Sequence, residues 1–275
     1  MRRWTSSLAV VASMATASSF AGACAPSQRR LGATALAEAR RSEPPVASML
    51  PVGAPRPLPP TRFLAGVEDL AVLAMGLPLP EVEGPDRCTA SPSHLPRAEA
   101  AARAAERATG RRDVATTFAF GMAFPTSATP SRWVETVLDA VAEEAALGAD
   151  EVVEVAPRVE GVRRERTMRI AMLRMGRGPF RYDFRWTIRV ASEALPDGRF
   201  VVRYDLDEAA PRQRVSYFRG VALVEPTPAG AFVREVIVAG SPVAPPFFLQ
   251  RAVHDAAESI LAKRWVRLVE HSSVR

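Results

Sequence analysis

The sequence predicts an α+β domain in which seven antiparallel strands form one sheet and a long helix closes the chain. Residues 113–271 alternate between apolar and polar side chains on a two-residue period in segment after segment. This period is typical of strands that bury one face. A helical pattern of apolar residues follows the last strand, and it predicts a helix that packs on the sheet.

The strand pattern is clearest at residues 181–190, where five apolar residues from Tyr182 to Val190 alternate with charged residues and one threonine. Turn-forming sequences such as Pro196-Asp197-Gly198 separate this segment from the next one. The predicted strands are Val114–Phe124, Glu151–Ala156, Thr167–Met175, Arg181–Val190, Phe200–Leu206, Arg214–Val224 and Ala231–Ala239.

Two helices accompany these strands. The first is predicted to begin at Pro130 and to continue to about Leu147, because Thr129 suits a helix cap and proline suits the first helical position. The second is predicted from Pro246 to about His271. Its apolar stripe consists of Leu249, Ala252, Val253, Ala256, Ala257 and Ile260.

The N-terminus is predicted to be an export signal. Arg2 and Arg3 precede an apolar stretch, Leu8–Phe20, of the length typical of signal peptides. The small residues 21–23 then precede Cys24, which resembles a bacterial lipoprotein signal in which the cysteine becomes the lipidated N-terminus. We therefore expect a signal peptide at residues 1–23. Cys24 is expected to anchor the protein to a membrane of the cell envelope, on the periplasmic side or in the outer membrane, with plain secretion as the alternative.

The composition between the signal and the sheet is that of a tether and a linker. Of the 24 prolines, 13 lie between Pro26 and Pro96, and proline disfavours helices and central strands. Residues 24–60 are predicted to be a Pro/Arg-rich tether whose positive charge attracts anionic headgroups. Residues 61–112 are predicted to be a helical or irregular linker segment. A chain that starts near Arg111 is accordingly expected to fold on its own.

The charge distribution argues against a nucleic-acid partner. The net charge is +6, yet residues 1–112 hold 14 arginines and only 9 acidic residues, which leaves the rest of the chain nearly neutral. A nucleic-acid-binding domain concentrates positive charge on its folded unit. With 2 cysteines and 3 histidines, a zinc cage of cysteine and histidine is not expected. No metal and no cofactor are predicted.

Two segments resemble the START-like, or helix-grip, superfamily, which includes polyketide cyclase/dehydrase-like proteins. Phe118–Pro125 followed by Thr129–Asp139 is similar to the strand and helix that open the family's domain. Phe218–Pro226 with Gly230–Val233 is similar to the strand, turn and strand that precede its final helix. The resemblance lies entirely after residue 112. It implies a curved sheet wrapped around the C-terminal helix, with an apolar cavity between them.

The implied function is binding of a hydrophobic small molecule or lipid in that cavity. Small alanines on the helix leave volume, and Phe, Met and Tyr side chains of the sheet suit irregular apolar ligands. The predicted ligand-binding residues are Phe120, Met122, Met172, Phe184, Trp186, Val202, Tyr204, Tyr217, Leu249, Val253, Ala256 and Ile260.

Two other classes of function remain open at this point. A cyclase/dehydrase-like enzyme acting on an apolar substrate would need an inward-facing His, Asp or Tyr, for which Tyr204 and Tyr217 are in phase. An envelope protein-interaction module would fill the cavity and expose an apolar patch. His254 and Glu258 lie four residues apart on the polar side of the final helix, so they are expected to form a solvated pair. No catalytic residue is predicted.

Overall fold

The structure is a computed structural model that describes residues 46–51, 54–82, 88–89, 92–108, 114–139, 151–160, 163–175, 182–208, 215–242 and 250–273. Only the backbone is described at residues 46–47, 81–82, 88–89, 106–108, 151–160, 163–175, 182–186, 250, 252–253, 256 and 260. The predicted signal peptide and Cys24 lie outside the described residues. By its backbone contacts, Pro44–Arg275 is one compact unit.

The described part of the chain contains ten strands and four α-helices. The strands are β1 (Glu81–Val82), β2 (Cys88–Thr89), β3 (Ser93–His94), β4 (Thr116–Thr126), β5 (Glu151–Glu160), β6 (Arg163–Met175), β7 (Tyr182–Ala194), β8 (Phe200–Leu206), β9 (Tyr217–Thr227) and β10 (Gly230–Ser241). The helices are α1 (Glu68–Met75), α2 (Pro96–Ala108), α3 (Pro130–Val137) and α4 (Gln250–Ser273).

Eight of the strands form one antiparallel sheet in the order β3-β4-β10-β9-β8-β7-β6-β5, while β1 pairs with β2 alone. The predicted fold class is confirmed, because all seven predicted strands are present as β4 to β10 and α4 follows them. The additional strand is β3, which pairs Ser93 with Gly121 and His94 with Phe120. A two-residue strand is too short for an alternating pattern to reveal it.

The central strands of this sheet are buried on both faces. Nearly every residue of β10 is buried, and β4 follows the same pattern. A continuous apolar run of this kind is typical of a strand that is covered from both sides. We call the side of the sheet that faces α4 the inner side, and the opposite side the outer side.

The inner side carries one apolar cluster, which α3 and α4 cover. As predicted, Thr129 caps α3 by accepting a hydrogen bond from the backbone N–H of Arg132 at 3.3 Å, and Pro130 begins the helix. Helix α3 ends at Val137, because Leu138 is its C-cap and Asp139 is not helical, so it is shorter than the predicted helix that continued to about Leu147. The described part of α4 begins at Gln250. The inner cluster consists of Met122, Phe124, Trp133, Val134, Val137, Leu138, Ile188, Val190, Val202, Tyr204, Leu206, Ala222, Val224, Ala231, Val233, Trp265 and Leu268.

The outer side carries a second apolar cluster, and residues of the N-terminal segment cover it. Phe63 and Leu64 precede α1, which packs against β9 and β10, while α2 packs against β4. The outer cluster consists of Phe63, Leu64, Val67, Leu70, Ala71, Ala74, Leu77, Ala98, Ala119, Ala123, Ala191, Leu195, Val201, Tyr217, Val221, Leu223, Phe232, Val236 and Val238.

Two arginines hold the proline-rich part of this segment on the outer side. Arg199 has a side chain only 4% exposed, and it donates hydrogen bonds to the carbonyl oxygens of residues 56–57 at 2.8 and 2.7 Å. Arg203 donates to the carbonyl oxygens of Phe63 and Ala65 at 3.1 and 2.8 Å. Hydrogen bonds from a charged donor are roughly twice as strong as neutral ones. They therefore hold residues 56–65 on the outer side of the sheet.

Each of these arginines also pairs with an aspartate. Arg199 donates through Nε to Asp197 at 2.8 Å, and Arg203 donates through Nε to Asp205. The Arg199 hydrogen bond is the main reason that the pKa of Asp197 is held below its ordinary value. A depressed carboxyl pKa stabilises the fold above the unfolded-state pKa, and this contribution is lost as the pH falls through the folded-state pKa.

The cover on the outer side includes residues that were expected to lie in a linker outside the domain. Residues 61–112 were expected to be a linker, but the described residues 61–77 and 95–102 contribute buried apolar side chains to the outer cluster. The physical reason is that β4, β9 and β10 are apolar on both faces, so water would contact their outer residues without this cover. The expectation that a chain starting near Arg111 folds on its own assumed that the strands bury only one face. In the structure, the central strands bury both faces.

We predict that Leu70→Ala lowers the free energy of unfolding of the full chain by about 2–5 kcal/mol, the usual cost of truncating a buried leucine. Leu70 is 6% exposed on α1, whereas Val72 of the same helix is 62% exposed. Val72→Ala is therefore the matched control and should change this free energy by less than about 0.5 kcal/mol. Urea denaturation followed by circular dichroism measures both, and equal small effects would contradict the packing of α1 on the sheet.

Candidate functional site

The candidate site is the layer between the inner side of the sheet and α4. At one end, the rings of Phe124 on β4 and Trp133 on α3 pack edge to face, with centroids 5.2 Å apart. Trp133 is 1% exposed, and its indole N–H has no hydrogen-bond partner in the described part of the chain. Buried indole N–H groups usually find an acceptor, so this donor is available to a polar atom of a ligand or to water.

A buried ion pair joins α4 to the middle of the sheet. Glu235 of β10 is 1% exposed and faces α4. Arg264 donates through Nη1 to both of its carboxylate oxygens, at 3.0 and 3.2 Å, and the Trp265 indole N–H donates to Oε2. A buried carboxylate is tolerated only when it is paired and hydrogen-bonded. The three residues therefore fix where α4 lies along β10.

Arg264 also contacts the ring of Tyr204. The guanidinium carbon lies 5.6 Å from the ring centroid, a cation–π contact that reaches about 2 kcal/mol when it is desolvated. Next to it, Trp265 and Leu268 are both 0% exposed within the inner cluster. Protein side chains thus fill the contact between the sheet and the C-terminal half of α4, and this half offers little room for a ligand.

The helices lie over only part of the inner side. The backbone of α4 approaches β4 and α3, and α3 approaches β8, β9 and β10. No helix in the described ranges approaches β5, β6 or β7 as closely, although these strands are 10, 13 and 13 residues long. The sheet therefore continues beyond the helices at its β5 edge. On β7, Ile188 and Val190 still belong to the inner cluster.

Four of the predicted ligand-binding residues lie on the inner side with their side chains described. Met122, Val202 and Tyr204 are buried members of the inner cluster. Phe120 of β4 is 2% exposed, and its ring centroid lies 6.4 Å from that of His254 on α4. The two-residue period of β4 and β8 is what identified these positions.

Tyr217 lies on the other side of the sheet. It belongs to the outer cluster, and its hydroxyl donates to Oγ1 of Thr117 at 3.1 Å. The prediction grouped Tyr217 with Tyr204 because both are in phase with apolar neighbours. In a strand that is apolar on both faces, however, the phase does not reveal which side a residue faces.

The remaining predicted ligand-binding residues have no described side chain. Trp186 pairs with Ile170 and Phe184 with Leu173 in the register of β6 and β7, and the register passes over Met172 at a bulge. Val253, Ala256 and Ile260 fall within α4, while Leu249 lies outside the described residues. Their roles stay predictions.

His254 is not the solvated residue that the sequence predicted. Its side chain is 26% exposed, and its ring centroid lies 4.9 Å from that of Phe118 and 5.0 Å from that of His94. This part of α4 therefore lies beside β3 and β4, and a residue outside the predicted apolar stripe contacts them. Glu99 completes the group, because its Oε1 lies 3.9 Å from Nδ1 of His254.

Sequence reasoning missed Glu235 and Arg264. A detectable signal existed for Glu235, because the adjacent charges Arg234 and Glu235 interrupt a strand that is otherwise apolar. Charges in such a position need buried partners. Arg234 finds its partner in Glu225 on the outer side, while Glu235 finds Arg264 on the inner side. The partners themselves were not predictable from spacing, because 29 residues separate Glu235 from Arg264.

Comparisons with known proteins give weak structural likenesses and no sequence match. No protein-family model matches the chain, and no curated protein is significantly similar to it in sequence. A STAR-related lipid transfer protein from Xanthomonas axonopodis is 14% identical, with a TM-score of 0.41 over 55% of this chain and 85% of that one. The human StarD13 lipid transfer and protein localization domain is 12% identical, with a TM-score of 0.41 over 78% and 98%.

An aromatase/cyclase from a Streptomyces species is 10% identical, with a TM-score of 0.37 over 57% of this chain and 94% of that one. These sequence identities and TM-scores are too low to support an argument about function. Its architecture by itself defines the class of fold: an antiparallel sheet whose inner side faces a long C-terminal helix, which is the helix-grip arrangement.

We predict that Glu235→Ala destabilises the full chain by about 3–5 kcal/mol, because it leaves the Arg264 guanidinium buried without its charge partner. The double variant Glu235→Leu with Arg264→Leu should be less destabilised, since it removes both charges together. Glu135→Ala is the control, because Glu135 is 46% exposed in its pair with Arg132 and should cost at most about 1 kcal/mol. Urea denaturation compares them, and equal costs for Glu235→Ala and Glu135→Ala would contradict the buried pair.

Proposed function

We propose that this protein binds a hydrophobic small molecule or lipid between the inner side of the sheet and the N-terminal half of α4. The observation that carries the proposal is that the described helices cover only part of the inner side. Helices α3 and α4 lie over β4 and β8–β10, while the long strands β5–β7 continue beyond them. An apolar sheet face without a packed helix is stabilised by any apolar molecule that excludes water from it.

The two sides of the sheet differ in a way that supports this location. On the outer side, the chain itself supplies the cover of the sheet, which consists of α1, α2 and the segment 56–65 bound by Arg199 and Arg203. On the inner side, the ion pair of Glu235 and Arg264 closes the C-terminal half of the helix–sheet contact. In the N-terminal half of α4, which carries the predicted alanine stripe, His254 contacts Glu99 at the β3–β4 edge of the sheet.

The inward carboxylate favours binding over catalysis. A general base needs a carboxylate oxygen within reach of a substrate proton. Both oxygens of Glu235 already accept hydrogen bonds from Arg264, and Oε2 also accepts one from Trp265. Glu235 is therefore engaged in holding α4 on the sheet.

The proposed location is the cell envelope, with Cys24 as the lipid-bearing residue and the part of the tether before residue 46 as a spacer, because Leu50, Leu58 and the carbonyl groups of residues 56–57 contact the outer side of the sheet. The support comes from the sequence: the charged residues, apolar stretch and small residues before Cys24 follow the order of a lipoprotein signal. Within the described residues, no helix has both the length and the apolar character needed to cross a membrane. A membrane-anchored binding protein of this kind would hold its apolar ligand near the bilayer.

We predict that the full chain binds Nile red, an uncharged apolar dye, and that Ala256→Trp lowers its affinity at least about tenfold without a large change in Tm. The added indole would occupy the ligand's volume next to α4. Ser259→Trp adds the same bulk to an exposed position of the same helix, so it should leave dye binding unchanged.

Dye fluorescence and thermal denaturation, read on the same samples, separate the possible results. In a helix packed tightly on the sheet, the new side chain would instead cost about 1–3 kcal/mol of stability. A large drop in Tm for Ala256→Trp, together with no dye bound by the unaltered chain, would contradict the proposed binding site.

We predict that palmitate labelling and membrane association in a bacterial host depend on Cys24. Cys24→Ser should release the protein into the soluble envelope fraction, because it removes the acyl chains, each buried CH₂ of which contributes about 0.8 kcal/mol to membrane binding. Cys88→Ser is the matched control and should stay at the membrane. Equal membrane association of Cys24→Ser and the unaltered protein would contradict the lipoprotein assignment.

A further inference from the structure

Two of the chain's 3 histidines meet one buried carboxylate at the β3–β4 edge of the sheet. His94 lies on β3, Glu99 on α2 and His254 on α4. Nε2 of His94 is 2.8 Å from Oε1 of Glu99, and Nδ1 of His254 is 3.9 Å from the same oxygen. One ligand atom from each residue lies within 4.8 Å of the other two.

These distances are compatible with one metal ion bound by all three residues. Ligand atoms about 2.0–2.2 Å from one tetrahedral zinc ion lie roughly 3.3–3.5 Å from one another. The two distances to Oε1 of Glu99, 2.8 and 3.9 Å, fall on either side of this value, and all three ligand atoms lie within 4.8 Å of one another. The rings of His94 and His254 meet at 71°, so neither ring stacks over the other.

The carboxylate is held in place by groups behind it. Glu99 is 5% exposed, and the backbone N–H of Ala119 donates to its Oε1 at 3.2 Å. Arg103 donates to the other oxygen, Oε2, at 3.2 Å. Partners of this kind orient metal-binding carboxylates. Access is also provided, because the His94 side chain is 43% exposed and the His254 side chain 26% exposed.

We propose that His94, Glu99 and His254 form a binding site for a divalent transition-metal ion of the zinc class. Two imidazoles and one carboxylate are ligands that zinc accepts, and three protein ligands leave a fourth position for water or another ligand. Imidazole ligands also suit copper, iron and nickel. This site was not predicted from the sequence, where His254 was paired with Glu258 instead.

The bound ion would connect three parts of the chain that are distant in sequence. It would join the edge strand β3 and the helix α2, which belong to the N-terminal segment, to α4 on the inner side. A metal that binds only the folded state stabilises that state in proportion to the logarithm of its concentration above Kd. We therefore expect Zn²⁺ to raise the Tm of the protein. This inference is independent of the proposed apolar ligand.

The test uses the purified full chain, stripped with a chelator and titrated with Co²⁺, whose visible absorption reports its ligands. We expect one Co²⁺ per chain, displaced by Zn²⁺. His94→Ala and His254→Ala should each weaken binding by at least about 10–100-fold, the loss typical even of outer partners of a metal site. His271→Ala, which removes the remaining histidine of the chain, is the matched control and should bind as the unaltered protein does.

Thermal denaturation with and without Zn²⁺ provides the second readout. Zn²⁺ should raise the Tm of the unaltered chain and of His271→Ala, but not that of His254→Ala. If His254→Ala does not fold, His254→Gln and Glu99→Gln carry the same comparison, because both nearly preserve side-chain size. No bound Co²⁺ in the unaltered chain, or Co²⁺ affinity in the folded variants equal to that of the unaltered chain, would overturn the proposal.

Discussion

Burial of the central strands on both faces is the constraint on which the rest of the structure depends. Strands β4, β9 and β10 carry apolar side chains towards both the inner and the outer cluster. A sheet of this kind is stable in water only when each face is covered. The C-terminal helix covers part of one face, so the chain must supply a second cover, and described residues of the N-terminal segment, such as Phe63, Leu70 and Ala98, provide it.

Polar groups determine how each cover is attached. The outer cover includes a proline-rich stretch that cannot form a ladder of backbone hydrogen bonds, and Arg199 and Arg203 instead bind its carbonyl groups. The inner cover is a regular helix, and Glu235 with Arg264 and Trp265 fixes its position along β10. This attachment lies in the C-terminal half of α4. It leaves the N-terminal half of α4 for the proposed ligand. At the other end of the sheet, no described helix approaches β5–β7 as closely.

The strands and the final helix were predictable because apolar residues recur with periods of 2 and 3.6 residues within short stretches of the sequence. Helical structure within residues 61–112 was predicted, but its packing on the sheet was not, because buried residues such as Phe63 and Leu70 lie in short segments among prolines and resemble a linker. The side that Tyr217 faces could not be predicted either, since β9 is apolar on both faces. The group of His94, Glu99 and His254 joins residues 160 positions apart, a proximity that only the fold creates.

The central claim is that the outer side is closed by the chain while the inner side accepts an apolar ligand. Amide hydrogen exchange of the full chain, measured by mass spectrometry with and without saturating oleate, tests this most directly, because exchange reports local opening along the chain. We expect oleate to slow exchange in α4 and in β5–β7, and to leave α1 and α2 unchanged. Slower exchange confined to α1 and α2, or no change anywhere in the chain, would contradict the account.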